Sequence, residues 1–152
     1  MRAEERARER RMIDGDGHVI EHDARLKPYL EEPYRSHPDL LNAPFFPSLD
    51  GWNRAARRVA DGKGKGLPAP DAAAWLAFLD AAGLEASVLY PTQGLAYGLI
   101  KDPEWAAVLG RGYNTFLHEE YLKTAPARLK GMALIPLQDV PAAVRELRRA
   151  VE

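Results

Sequence analysis

Apolar and polar residues follow one another along this chain in blocks that predict a succession of strands and helices. Residues 12–16 form a short strand-like run, residues 86–90 (ASVLY) form an apolar run ended by Pro91, and residues 131–135 (GMALI) precede Pro136. Short, continuous apolar runs are typical of strands that are covered on both faces. The pattern therefore predicts three strands, the second of them covered on both faces.

Three helices with one apolar face each are predicted after residue 70. Asp71, Asp102 and Asp139 are their predicted N-caps, and Gly83 and Pro126 end the first two. Apolar residues recur at helical spacing in each of them. The predicted buried side of the last helix consists of Val140, Val144, Leu147 and Val151.

The segment from residue 22 to residue 70 is rich in Pro, Gly and aromatic residues and shows no regular period. Short helical turns are predicted within it at residues 27–34 and 52–60, and long segments of this kind usually act as lids, binding loops or mobile connections. Residues 1–11 mix both signs of charge. They are either a frayed helical extension or the result of a start codon assigned too early, with Met12 as the true start. One domain is expected over residues 12–152.

The order strand, long loop, helix, strand, helix, strand, helix predicts an α/β protein with a parallel sheet. Two architectures satisfy this order, a doubly wound open sheet and the opening of a TIM barrel. A closed barrel needs eight strands and typically about 250 residues. The sequence stops at Glu152 within a predicted helix. In the barrel interpretation the chain is therefore an N-terminal part, truncated after three strands.

The amino-acid composition excludes several classes of protein and of site. The chain has 152 residues, 46% of them hydrophobic and 28% charged, which is typical of globular rather than disordered proteins. A net charge of -1 gives no reason to expect a nucleic-acid partner, and the absence of cysteine excludes disulfides and thiolate metal sites. No apolar run of membrane-spanning length and no signal peptide are recognised. A cytoplasmic protein without a membrane partner is expected.

The residues with the clearest chemical potential lie in the first strand and at its end. Strand alternation would place Asp14, Asp16 and His18 on one face, with Asp16 and His18 nearest the carboxyl end of the strand. In parallel α/β folds that end gathers ligands and catalytic groups. A carboxylate and an imidazole at this spacing can converge on one divalent cation. A surface turn without metal is the alternative interpretation of the same residues.

The segment MIDGDGHVIE resembles the opening strand of the amidohydrolase-related branch of the amidohydrolase superfamily. That branch includes aminocarboxymuconate-semialdehyde decarboxylase, the resorcylate-type decarboxylases and various hydrolases. The stretches VLYPT, RGYNTFLHEEY and RLKGMALIPLQDVPAAVREL are similar to later parts of the family's pattern in the same order. The resemblance covers most of residues 12–152 outside the long loop.

This resemblance implies a TIM barrel that holds one divalent metal ion, zinc foremost and manganese as the alternative. It implies Asp16 and His18 as metal ligands, with the carboxylate replacing the first histidine of the family's pair. The family's other ligands, a His and an Asp, come from later strands that this sequence does not contain. The implied chemistry is hydrolysis of a C–N, C–O or C–C bond, or non-oxidative decarboxylation of a small carboxylic acid.

Other functions stay open beside that one. The chain could be a catalytically inactive fragment, or a small α/β binding module in which Asp16 and His18 are structural. As an incomplete barrel it would need a homo-oligomer or a complementing C-terminal half. Exposed apolar residues such as Met132 and Leu134 would then line the unpaired edge of the third strand.

Further candidates lie near the same end of the sheet. Glu21 could orient a ligand histidine or contact substrate, and a solvated loop carboxylate is the alternative. Thr92 and Gln93 follow the second strand and Gln138 follows the third, where they could contact a small-molecule substrate or simply cap turns. For Asn114, packing and hydrogen bonding are expected rather than catalysis.

Overall fold

The computed structural model describes residues 12–38, 43–49 and 69–152. The predicted turn at residues 52–60 and the charged extension at residues 1–11 lie outside these described residues. The three strands are β1 (Ile13–Val19), β2 (Ala86–Pro91) and β3 (Leu129–Gly131). The helices are α1 (Asp23–Leu26), α2 (Ala72–Ala82), α3 (Pro103–Glu120) and α4 (Val140–Val151), and short 3₁₀ segments are found at Lys27–Tyr29, Gln93–Leu99 and Leu122–Thr124.

The strands form one parallel sheet in the order β1-β2-β3. β1 pairs with β2 along its length, and β2 pairs with β3 through Ser87, Val88 and Leu89. The predicted parallel α-β-α-β-α arrangement after residue 70 is confirmed. β1 extends three residues beyond its predicted end at Asp16.

Side-chain caps determine where the three long helices begin. The carboxylate of Asp71 accepts from the N–H of Ala74, and Asp102 and Asp139 accept in the same way at the first turns of α3 and α4. Each cap satisfies amide groups that have no partner within the helix. Gly83 ends α2 in the left-handed conformation, with φ 67°. These predicted boundaries are confirmed because every signal for them is local in sequence.

The third strand is predicted at residues 131–135, and this is wrong at both ends: β3 begins two residues earlier, at Leu129, and ends four residues earlier, at Gly131. The ladder ends with Met132, whose N–H donates to the carbonyl of Leu89. The backbone of Leu134 is hydrogen-bonded to the side-chain amide of Asn114 and not to a neighbouring strand. Asn114 Oδ1 accepts from the Leu134 N–H at 2.8 Å, and Asn114 Nδ2 donates to the Leu134 carbonyl at 2.9 Å. The chain can therefore leave the sheet before residue 135, because Asn114 of α3 provides hydrogen bonds to the N–H and carbonyl of Leu134. Leu134 is buried as a result, contrary to the exposure expected, whereas Met132 is exposed.

The helices cover one face of the sheet. Val19, Leu89 and Leu129 point from the three strands into the core, where they join residues of α2 and α3. A side chain at Gly131 would meet Leu117 of α3, which places the helices on that face. The opposite face, with Val88 and Tyr90, is only partly buried by the described residues. One-sided covering agrees with part of a barrel rather than with a doubly wound sheet, which has helices on both faces.

The predicted buried side of α4 is also wrong. Its small residues Ala142 and Ala143 and the carboxylate of Glu146 face inward, and Asn114 Nδ2 donates to Glu146 Oε1 at 2.7 Å. The helix docks on α3 through this polar contact. The stripe of Val140, Val144, Leu147 and Val151 is exposed among the described residues. The sequence period identifies an apolar face but does not show whether another element covers it.

Candidate metal and substrate site

The end of β1 brings Asp16 and His18 together. Asp16 Oδ1 lies 3.8 Å from His18 Nε2, with the Asp16 side chain 95% exposed and the His18 side chain 33% exposed. Both residues lie where β1 approaches its carboxyl end. The distance is longer than a hydrogen bond. The carboxylate oxygen and the imidazole nitrogen are therefore neighbours without a hydrogen bond between them.

A β-bulge in β1 determines which side chains share a face. Asp14 pairs with Ser87 and Gly17 with Leu89, so three steps along β1 match two steps along β2. The extra residue shifts the alternation, as bulges do. Asp14 therefore lies on the helix-covered face, where Ser87 Oγ donates to its Oδ2 at 2.6 Å. The expectation that Asp14 shares a face with His18 is wrong.

The bulge depends on a glycine. A Cβ at Gly17 would collide with Ser87 Oγ and would come within 3.0 Å of Leu89 Cδ2 and 3.1 Å of Asp14 Oδ2. At Gly15, by contrast, an added Cβ would meet nothing within 4 Å. Gly17 is thus the residue that leaves room for the Asp14–Ser87 contact, on the face of the sheet opposite His18.

Residues at the end of β2 contact the His18 imidazole. Thr92 Oγ1 lies 3.3 Å from His18 Nδ1, and the same hydroxyl donates to the carbonyl of Val19 at 2.7 Å. The ring of Tyr90, paired with His18 in the sheet, has its centroid 6.0 Å from the imidazole centroid. Thr92 therefore contacts the predicted metal ligand itself, whereas it was selected as a candidate substrate contact.

Glu21 is fully buried, so the alternative of a solvated loop carboxylate is wrong. Its Oε2 accepts from the N–H groups of Thr92 at 3.0 Å and Gln93 at 3.1 Å, and its Oε1 accepts from Gly94 at 3.0 Å. Burial raises the pKa of Glu21 to about 7, against the lowering effect of these backbone donors. The carboxylate thereby connects the end of β1 to the segment that follows β2.

The two candidate glutamines serve the backbone in this structure. Gln93 is buried, and its side-chain amide donates to the carbonyl of Glu21. Gln138 Nε2 donates to the carbonyls of Tyr97 at 3.3 Å and Ile100 at 3.0 Å. Gln138 also lines the open groove described next, and Gln93 does not.

An open groove of about 680 Å³ lies at the carboxyl ends of β2 and β3. Its lining is mostly apolar and includes Tyr90, Pro91, Leu95 and Met132. Tyr90 connects this groove to His18. Sequence reasoning missed Tyr90, although its place at the end of the second strand, on the face opposite Leu89, is a signal that strand alternation provides once the register is known.

Across residues 12–38, 43–49 and 69–152, no group of three or more His, Cys, Asp or Glu side chains is arranged to hold a metal ion. The described part of the chain thus provides a pair of donor atoms. Its helices include none that is long and apolar enough to cross a membrane.

Comparison with known proteins supports the fold. Neither the protein-family models nor the curated proteins include a match to this sequence. Among solved structures, the chain is similar to an amidohydrolase from Mycobacterium avium subsp. paratuberculosis K-10, with a TM-score of 0.62 and 18% sequence identity. The match covers 94% of this chain and 46% of the other, so this chain spans about half the length of that relative. The fold is therefore α/β, with three parallel strands and their helices matching part of an amidohydrolase-like TIM barrel.

Proposed function

We propose that this chain provides the first part of the active site of a metal-dependent hydrolase of the amidohydrolase type. The observation that carries the proposal is the pair of Asp16 Oδ1 and His18 Nε2, 3.8 Å apart at the carboxyl end of β1. In barrels of this kind the catalytic groups lie at the carboxyl ends of the strands. The amidohydrolase-like fold gives the pair its context.

The donor atoms fit a divalent cation. Two ligand atoms at about 2.1 Å from a tetrahedral ion lie roughly 3.4 Å apart, and the separation of Asp16 Oδ1 and His18 Nε2 is 3.8 Å. Because the Asp16 side chain is exposed, a small rotation closes the difference. A mixed oxygen and nitrogen set suits zinc and also accepts manganese.

When bound, such a cation lowers the pKa of a coordinated water or polarises a substrate carbonyl or carboxylate. The side chains near it have separate tasks. Asp16 and His18 would hold the ion, and Tyr90, whose ring lies beside His18, would present apolar surface to the substrate together with Met132 of the groove. We infer a small-molecule substrate with an apolar part and a carboxyl or acyl group, which is either hydrolysed or decarboxylated.

A pair of protein ligands rarely holds a metal tightly. The proposal therefore includes further ligands and acid–base groups from additional β/α units, provided by a complementing chain or by more of the same polypeptide. Without them, weak metal binding and no turnover are expected.

The experiment is titration of the purified chain with Zn²⁺ and with Mn²⁺, followed by calorimetry. His18→Ala and Asp16→Asn should each weaken binding by more than about tenfold, since even residues that only support metal ligands cost 10- to 100-fold. His118→Ala, on an exposed part of α3, is the matched control and should bind as the unmodified chain does. Equal affinity of the unmodified chain and His18→Ala would contradict the proposal. Turnover of aromatic carboxylic acids and lactones should be absent in all four proteins.

A further inference from the structure

The hydrogen bonds of the Thr92 hydroxyl indicate which His18 ring nitrogen carries the proton. A threonine hydroxyl has one proton to donate and lone pairs with which to accept. The Val19 carbonyl can only accept, and at 2.7 Å from Thr92 Oγ1 it takes that proton. Toward His18 Nδ1, 3.3 Å away, the hydroxyl therefore presents a lone pair.

We infer that Thr92 is a positioning residue that holds the neutral His18 imidazole in the tautomer with its proton on Nδ1. In that tautomer Nδ1–H donates to Thr92 Oγ1, and the lone pair of Nε2 points toward Asp16. The other tautomer would set the Nδ1 lone pair against the hydroxyl lone pair. The importance of a free Nε2 rests on the proposed function, because Nε2 is the atom that would bind the cation beside Asp16 Oδ1.

Asp16 is the group that opposes this preference, since a carboxylate favours a proton on Nε2. Its Oδ1 lies 3.8 Å from Nε2, which is too long for a hydrogen bond, and its side chain is 95% exposed to water. Water screens such a contact strongly. Thr92, at 3.3 Å and partly buried, therefore determines the tautomer.

Glu21 keeps Thr92 in place. Its buried carboxylate accepts from three consecutive backbone N–H groups, those of Thr92, Gln93 and Gly94. The Gln93 side chain in turn donates to the Glu21 carbonyl. This closed set of bonds fixes the backbone immediately after β2, and with it the Thr92 hydroxyl between Val19 and His18. Outer partners that fix the orientation and tautomer of a histidine are a general feature of metal sites.

The test measures the tautomer in the metal-free protein by two-bond ¹H–¹⁵N correlation NMR, at a pH where the imidazole is neutral. Replacing His22, His37 and His118 by Gln leaves His18 as the single histidine, so its signals need no further assignment. We expect a pyrrole-type shift at Nδ1 and a pyridine-type shift at Nε2. A protonated Nε2 in this protein would overturn the inference, whether or not the Thr92 variants fold.

Variants in the same background then test the role of Thr92. Thr92→Val keeps the side-chain shape but removes the hydroxyl, and it should lower the ratio of the Nδ1–H to the Nε2–H tautomer about fivefold, the ordinary effect of one net hydrogen bond. Thr92→Ser should restore the ratio. Thr115→Val is the matched control, because its hydroxyl bonds to the Arg111 carbonyl within α3. An unchanged ratio in Thr92→Val would overturn the inference.

Adding Zn²⁺ to the same samples separates this inference from the proposed function. A Zn²⁺-dependent change at His18 Nε2, with the Nδ1 signal still protonated, supports both. If Zn²⁺ leaves the spectrum unchanged while the Nδ1–H tautomer and its loss in Thr92→Val are observed, the tautomer inference holds and the metal proposal fails.

Discussion

At the scale of single residues, two opposing effects act on the pKa of the buried Glu21 carboxyl group. Burial disfavours its charged form, whereas the three backbone N–H groups that it accepts from favour that form. The outcome is a pKa of about 7, above the ordinary value of 4.5. The folded protein therefore keeps a proton on Glu21 in a pH range where the unfolded chain has released it.

This proton has a measurable consequence for stability. Between pH 4.5 and about 7 the folded state binds more protons than the unfolded state, so the free energy of unfolding falls as the pH rises. The contribution of Glu21 across that range is on the order of 3 kcal/mol. Glu21→Gln should remove this part of the pH dependence, although it also lowers stability at every pH by disturbing the three hydrogen bonds.

Urea unfolding of both proteins at pH 5 and pH 7.5 checks the prediction. The loss of stability between the two pH values should be smaller in Glu21→Gln than in the unmodified protein. The same loss in both proteins would mean that Glu21 does not titrate in this range. Groups common to both proteins cancel in the comparison, so the difference reports on Glu21.

Residues near Glu21 also show how far the sequence predicts the site. The pairing of Asp16 with His18 follows from spacing of two in a strand, and the structure brings both side chains together. The bulge between Asp14 and Gly17 and the burial of Glu21 could not be foreseen. Both depend on partners more than 70 positions away, Ser87 for Asp14 and Thr92 to Gly94 for Glu21.

At the scale of elements, the link between α3 and the chain after β3 is made by one side chain. Asn114 is buried and makes three hydrogen bonds, two with the backbone of Leu134 and one with Glu146 of α4. Arg149 donates to the same Glu146 carboxylate at 2.6 Å and 2.9 Å. Asn114 thus connects α3, the segment after β3 and α4. It provides the hydrogen bonds that a neighbouring strand would otherwise make with Leu134.

Asn114→Ala should therefore be strongly destabilising, by roughly 2–4 kcal/mol, because it leaves the N–H and carbonyl of Leu134 buried without these partners. The measurement is the midpoint of urea unfolding. Thr115→Ala, one position along α3, removes only a hydroxyl bonded within the helix and should stay within about 0.5 kcal/mol. Similar losses for the two variants would show that Asn114 is not the connecting residue described here.

Some element boundaries can be predicted from the sequence and others cannot. The side-chain caps at Asp71, Asp102 and Asp139 act within three residues, so the helix starts are predicted correctly. The end of β3 depends on Asn114, 20 positions earlier, and was misplaced. Local signals determine where the helices begin, whereas long-range partners determine how far the sheet extends.

At the scale of the molecule, a strand edge and an apolar helix face are left uncovered by the described residues. β3 pairs with β2 alone among the described residues, so its other edge has no neighbouring strand there. Nearby, α4 exposes Val140, Val144, Leu147 and Val151, and Met132 and Leu137 are exposed between β3 and α4. In an amidohydrolase-like barrel the next β/α unit would cover both surfaces. The purified chain alone is therefore expected to self-associate through them.

The stripe on α4 allows a direct test of this expectation. Val144→Lys combined with Leu147→Lys places two charges on the exposed stripe and should shift the sedimentation behaviour toward the monomer. Since both residues are about half exposed, the free energy of unfolding of the monomer should change by no more than about 1 kcal/mol. The matched control is Ala81→Lys combined with Ala82→Lys, which adds the same charge to exposed positions of α2. The control should associate as the unmodified chain does, because its charges lie away from α4. A chain that is monomeric at all concentrations, or a control that dissociates as completely as the α4 variant, would show that this surface does not drive association.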